Sequence, residues 1–128
     1  MSLRPYLDRV PVLGERVYVD PQAAVIGDVT LGDDASIWPM CVVRGDVTLG
    51  DDASIWPMCV VRGDVNHIAI GARTNVQDGT VIHVTHDGPY TSGGIPTIIG
   101  ADVTIGHGAI VHACTVGDFA LIGMGARI

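Results

Sequence analysis

Eighteen residues, GDVTLGDDASIWPMCVVR, stand at 27–44 and stand again, letter for letter, at 45–62. A tandem copy without a spacer leaves a fold intact only when its length is a whole number of structural units, so the internal period is what constrains this chain most. Aliphatic residues recur every six positions, through Leu13, Val19, Val25, Leu31, Ile37, Val43, Leu49, Ile55 and Val61, without a miss. Three further residues, read as His67, Ile68 and Ala69, precede the resumption at Ile70, Val76 and Ile82. The series returns at Ile99, Ile105 and Val111, then slips by one to Val116, Ile122 and Ile128. Four places after most anchors stands a second small or branched residue, such as Ala35, Cys41, Val47, Thr74, Thr80, Val103 and Ala109.

A helix cannot use a period of six filled with Gly and Asp, because 3.6 does not divide it and those residues are poor helix formers. Short strands that turn a corner every six residues can, and three of them close one triangular coil of eighteen. The expected fold is therefore all-β: a single-stranded left-handed parallel β-helix of hexapeptide repeats, with about six coils. Residues 1–128 are read as one such domain, in which each eighteen-residue copy is one complete coil. Inserting a whole coil keeps every later side chain on its own face, which no other insertion length would do. The stretch HDGPYTSGGIP, residues 86–96, breaks the period with turn residues and is expected to protrude as a loop between coils four and five.

Composition narrows the function. The net charge is −7, and all seven basic residues are Arg, too few for a phosphate-tracking surface, so no nucleic acid partner is expected. No apolar run reaches the length of a membrane span, and the N-terminus lacks the order of a signal peptide, so neither membrane nor secretion is expected and the chain reads as cytoplasmic. Cys41, Cys59 and Cys114 have no metal-type spacing and read as small core residues.

The anchors assign residues to faces. His83 and His112 each follow a third-face anchor, Ile82 and Val111, in consecutive coils, so their imidazoles are expected to stack at about the 4.8 Å strand spacing. His107 lies two residues after the second-face anchor Ile105, around a corner from that pair. A closed trimer, packing the second face of one copy on the third face of the next, would bring His107 to the pair of its neighbour. Three imidazoles with an open fourth position make a catalytic zinc site. His67 reads as a surface corner residue, and His86 as a core-type position where the loop departs. Arg62 follows Val61 as His83 follows Ile82, with Asp64 just beyond it. Gln77 and Asp78 follow Val76, placing Asp78 one rung before His107, within reach of a neighbour's Arg62. An ion pair there would hold copies together and orient the site.

The segments RGDVNHIAIGARTNVQDGTVIHVTH, 62–86, and TIGHGAIVHACTVGDFALIGMGA, 104–126, closely resemble the gamma-class carbonic anhydrase-like proteins, and the resemblance runs over essentially the whole chain from LGERVYVDPQAAVIGDV. It implies a homotrimer with zinc, or iron or cobalt, between copies, held by His83, His107 and His112. It also implies hydration of carbon dioxide to bicarbonate by zinc hydroxide, with Arg62, Asp64, Asn75, Gln77 and Asp78 lining the site. Where the most active members carry two glutamates this chain has Val65 and His86, which implies weak or absent activity and makes His86 the candidate proton shuttle. Further coils and a C-terminal helix belong to the family pattern and are missing from this sequence. Together with the unblemished copy, this reads as an engineered chain, lengthened by one coil and shortened at its end, with a very recent natural duplication as the alternative, and the last coil is expected to expose strand edges to end-to-end stacking.

Three functions compete. One is a carbonic anhydrase-like lyase, in which Arg62 and Gln77 place the reacting groups. The second is a trimeric scaffold that binds metal without useful catalysis. The third is a hexapeptide-repeat acyltransferase, against which three converging histidines speak. In the added coil, Arg44 and Asp46 are expected to extend the surface and do no chemistry.

Overall fold

A computed structural model describes residues 2–128 as short parallel strands wound into a left-handed β-helix, with no helix among the described residues. The period of six is realised as three stacked faces. The first pairs Leu13 with Leu31, Leu31 with Leu49, Leu49 with Ile70, Ile70 with Ile99 and Ile99 with Val116. The second runs from Val19 through Ile37, Ile55, Val76 and Ile105 to Ile122. On the third face, Val25, Val43, Val61, Ile82 and Val111 stand in register, and Leu3 pairs with Val25 to add a rung ahead of them. That first rung lies outside the hexapeptide series, which is why the spacing did not announce it.

Burial follows the period. Anchors from Val25 to Val111 are closed to solvent, and the second series, Ala35, Cys41, Val47, Ala53, Cys59, Val103 and Ala109, fills the corners between them. A triangular coil leaves little room at its vertices, so small residues stand there. The three cysteines are free thiols, Cys41 and Cys59 buried, as core packing requires.

Corners demand backbone that few residues adopt. Between the first and second faces the turn falls on Arg16, Asp34, Asp52, Arg73, Asp102 and Phe119, all at positive φ. Between the second and third faces it falls on Met40, Met58, Gly79, Gly108 and Gly125, also at positive φ. Only the glycines meet that geometry without steric cost.

One sequence reading is corrected. Gly45 pairs with Gly63, and Val47 with Ile68, so the three extra residues of coil three lie in the corner at 64–67 and not at 67–69. Ile68 is fully buried in the place Val47 holds one rung earlier, because an apolar side chain takes the interior position and leaves the polar residues to bulge outward. Residues 86–96 do leave the coil as a loop. It is closed at its base by antiparallel bridging of Thr85 and Ile95 and tied down by Asn66, whose Nδ2 donates to the carbonyls of Thr85 and Gly93 at 3.2 and 3.3 Å.

Candidate metal centre

Strands 81–83 and 110–112 lie side by side on the third face and pair His83 directly with His112. Their ring centroids are 5.2 Å apart. His83 donates from Nε2 to Asp64 Oδ1 at 2.9 Å, and His112 donates from Nε2 to the Val84 carbonyl at 3.0 Å, with Thr85 Oγ1 beside it at 3.3 Å. His107 is separate: it turns from the corner after the second face, half exposed, with Nδ1 3.2 Å from Asp78 Oδ1 as an ion-pair contact. His83 and His112 thus each have one nitrogen fixed by an acceptor and the other left with its lone pair, the arrangement that orients a metal-ligating histidine, while His107 lies beside a carboxylate.

Asp64 is the hinge of the third-face group. It takes Arg62 Nη1 at 2.7 Å and Arg44 Nη2 at 3.0 Å, both on Oδ2, while Oδ1 serves His83. Burial raises its pKa, but the His83 hydrogen bond and the Arg62 charge outweigh that and hold the carboxyl below the usual carboxylate range.

The second-face group is built on one strand and its corner. Gln77 Nε2 donates to Asn75 Oδ1 at 3.1 Å, Asn75 Nδ2 donates to Thr104 Oγ1 at 3.1 Å, and Asp78 lies beside His107. Trp56 packs near His107 with ring centroids 6.3 Å apart, at the edge of a groove of about 410 Å³ lined by Ser36, Trp38, Ser54, Trp56 and Pro57. The polar groups of that groove are two serine hydroxyls and the two indole N–H groups that donate to them, so the candidate chemistry belongs to the histidines.

The structure therefore brings Arg62, Asp64, His83 and His112 together and keeps Asn75, Gln77, Asp78 and His107 around a corner. Among the described residues, no group of three His, Cys, Asp or Glu side chains within one chain is placed to hold a metal ion. His86 does not occupy a core-type position: it is exposed on the loop, because the interior place is taken by Val84, which is buried. The added coil also does more than extend the surface, since Arg44 reaches Asp64, and Asp46 holds His67 Nδ1 at 3.1 Å. Arg44 Nε is buried with no hydrogen-bond partner among the described residues, a penalty of about 1–3 kcal/mol that its contact with Asp64 must offset.

Two residues of this region went unnoticed in the sequence. Thr97, fully buried, donates from Oγ1 to the His83 carbonyl at 2.5 Å and accepts from the Ala113 amide at 2.8 Å, joining the two histidine strands from inside. A hydroxyl at the interior position held by Val29, Val47 and Ile68 in earlier coils was the available signal. Asn66, which ties the loop, had none.

The family model for the bacterial transferase hexapeptide (six repeats) matches residues 11–45 and 32–63. Protein YrdA of Escherichia coli (strain K12) is 46% identical over 124 residues, 97% of this chain and 58% of that protein. A probable carbonic anhydrase of Methanocaldococcus jannaschii is 49% identical over 117 residues, 91% of this chain and 58% of that protein. The chain thus spans less than two thirds of these relatives. Among solved structures, a hexapeptide transferase family protein of Anaplasma phagocytophilum is 30% identical, with a TM-score of 0.58, and is matched over 98% of this chain and 70% of its own. The N-acyltransferase AntD of Bacillus cereus superimposes with a TM-score of 0.79 at 19% identity, over 91% of this chain and 71% of its own, a likeness of fold alone.

Proposed function

Because the chain belongs to the hexapeptide-repeat family, with gamma carbonic anhydrases among its relatives, we propose that it is a gamma carbonic anhydrase-like metalloprotein that hydrates carbon dioxide to bicarbonate. The observation that carries this reading is the direct pairing of His83 with His112 on one face while His107 stands alone on another. A homotrimer supplies what one chain lacks: His107 of a neighbour, meeting His83 and His112. The donor set of three neutral imidazoles fits zinc, and also iron or cobalt. When bound, the ion supplies Lewis acidity that lets water lose a proton near neutral pH.

The rest of the chemistry falls to side chains of this chain. Asp64 fixes the ring of His83, and Asp78 places a negative charge beside His107. Arg62 lines the third-face side of the site and Gln77 the second-face side, and together they orient the carbon dioxide oxygens and the departing bicarbonate. His86, exposed at the loop, passes the released proton to solvent.

The deciding experiment is stopped-flow carbon dioxide hydration on protein of known metal content and oligomeric state, beside a His107→Ala variant. Hydration above buffer that disappears in the variant supports the reading. A metal-loaded trimer without hydration overturns it and leaves a metal-binding scaffold.

A further inference from the structure

Residues 44 and 62 are the same arginine in two copies of one sequence, in register on neighbouring strands, yet they end on the same carboxylate. The copies part company two residues later, after Gly45 has paired with Gly63. Coil three has three more residues in its corner, so Asp64 folds back over the third face, whereas Asp46, its counterpart, stays out and holds His67. The side chain of Asp64 is only 15% exposed.

We propose that Arg44 is a positioning residue of the metal centre: with Arg62 it clamps Asp64 and so fixes the ring of His83. The two carboxylate oxygens divide the work. Oδ2 takes both guanidinium groups, at 2.7 and 3.0 Å, and Oδ1 takes the imidazole at 2.9 Å. A carboxylate held at both oxygens cannot rotate away from His83. One rung earlier the place of Arg44 belongs to Ile26, which has no donor, so in a chain without the added coil Oδ2 would rest on Arg62 alone. Arg44 makes that contact redundant and leaves Arg62 free to turn its remaining donors to an anionic product. A small cavity of about 140 Å³, lined by Tyr6, Ile26, Arg44, Gly45 and Asp64, lies beside the clamp.

What the clamp serves rests on the proposed metal reading, but the clamp itself can be read without metal. The test is the ¹H–¹⁵N spectrum of histidine side chains in the metal-free full chain, for Arg44→Ile, Arg62→Met and the double variant. The Nε2–H signal of His83 is expected to persist in both single variants and to vanish or exchange at least 10-fold faster in the double. If Arg62→Met alone loses the signal as fully as the double, or if the double keeps it, the proposal falls. Arg44→Gln, neutral and of similar length, gives the same comparison should isoleucine unfold the coil. Zinc affinity, by chelator competition on the same proteins, is expected to fall about 10–100-fold in the double variant. His107→Ala weakens zinc without touching the clamp, so an intact His83 signal there separates failure of the metal reading from failure of the clamp.

Discussion

Asp64 reaches His83 across one rung of the coil, Oδ1 to Nε2 at 2.9 Å, from a corner that three extra residues have widened. Second-sphere carboxylates of this kind set the tautomer of a metal-ligating histidine, and their loss typically costs 10–100-fold in affinity. Asp64→Ala is expected to weaken zinc retention by about that factor while the metal-free protein keeps its far-ultraviolet circular dichroism. Unchanged zinc affinity would remove Asp64 from the site.

Thr97→Val keeps the shape of a fully buried side chain and deletes its hydroxyl, leaving the Ala113 amide and the His83 carbonyl one partner short. A loss of about 1–3 kcal/mol in unfolding free energy is expected from denaturant titration. A change below 0.5 kcal/mol, the range of an ordinary surface substitution, would show that water replaces the hydroxyl.

Met58 sits at φ 62° in a corner where later coils place Gly79 and Gly108 at 74° and 68°. Its side chain is exposed, so Met58→Gly gives up little burial and relieves a left-handed conformation. The relief, about 1–2 kcal/mol, exceeds the entropic cost of glycine, about 0.5–1 kcal/mol, so a small rise in melting temperature is expected. A fall would mean that the methionine packs in a way its exposure conceals.

Acid stability turns on the corner pairs. The hydrogen bonds from Arg73 to Asp102 and from Arg16 to Asp34 hold both carboxyls below the usual carboxylate range. A depressed native pKa adds stability above the unfolded value, about 3.9, and that increment is lost as pH falls through the native one. Melting temperature should therefore drop as pH falls below about 4, and less steeply in Asp102→Asn. Parallel acid limbs would show that the pair does not contribute.

Val65 and His86 are both exposed, so glutamates can be placed at both without disturbing the core. The double substitution Val65→Glu and His86→Glu is expected to raise kcat for carbon dioxide hydration on the order of 100-fold, the usual scale for a positioned acid or base. No change at constant zinc content would exclude those positions from proton transfer.

The spacing of the aliphatic residues determined the coil, its three faces and the stacking of His83 on His112, because side-chain direction in a strand repeats strictly and register carries it from rung to rung. Thr97 and Asn66 escaped that reading, since a hydrogen bond between coils leaves no periodic trace. The course of the 64–67 corner also lay outside it. Periodicity locates three surplus residues only to the interval between two anchors, and packing then chose Ile68 for the interior and sent Asp64 back over the third face. Arg44 and Arg62 make the same point most plainly. Their sequence contexts are identical over eighteen residues, so nothing local distinguishes them, and only the widened corner of the next coil placed one carboxylate within reach of both.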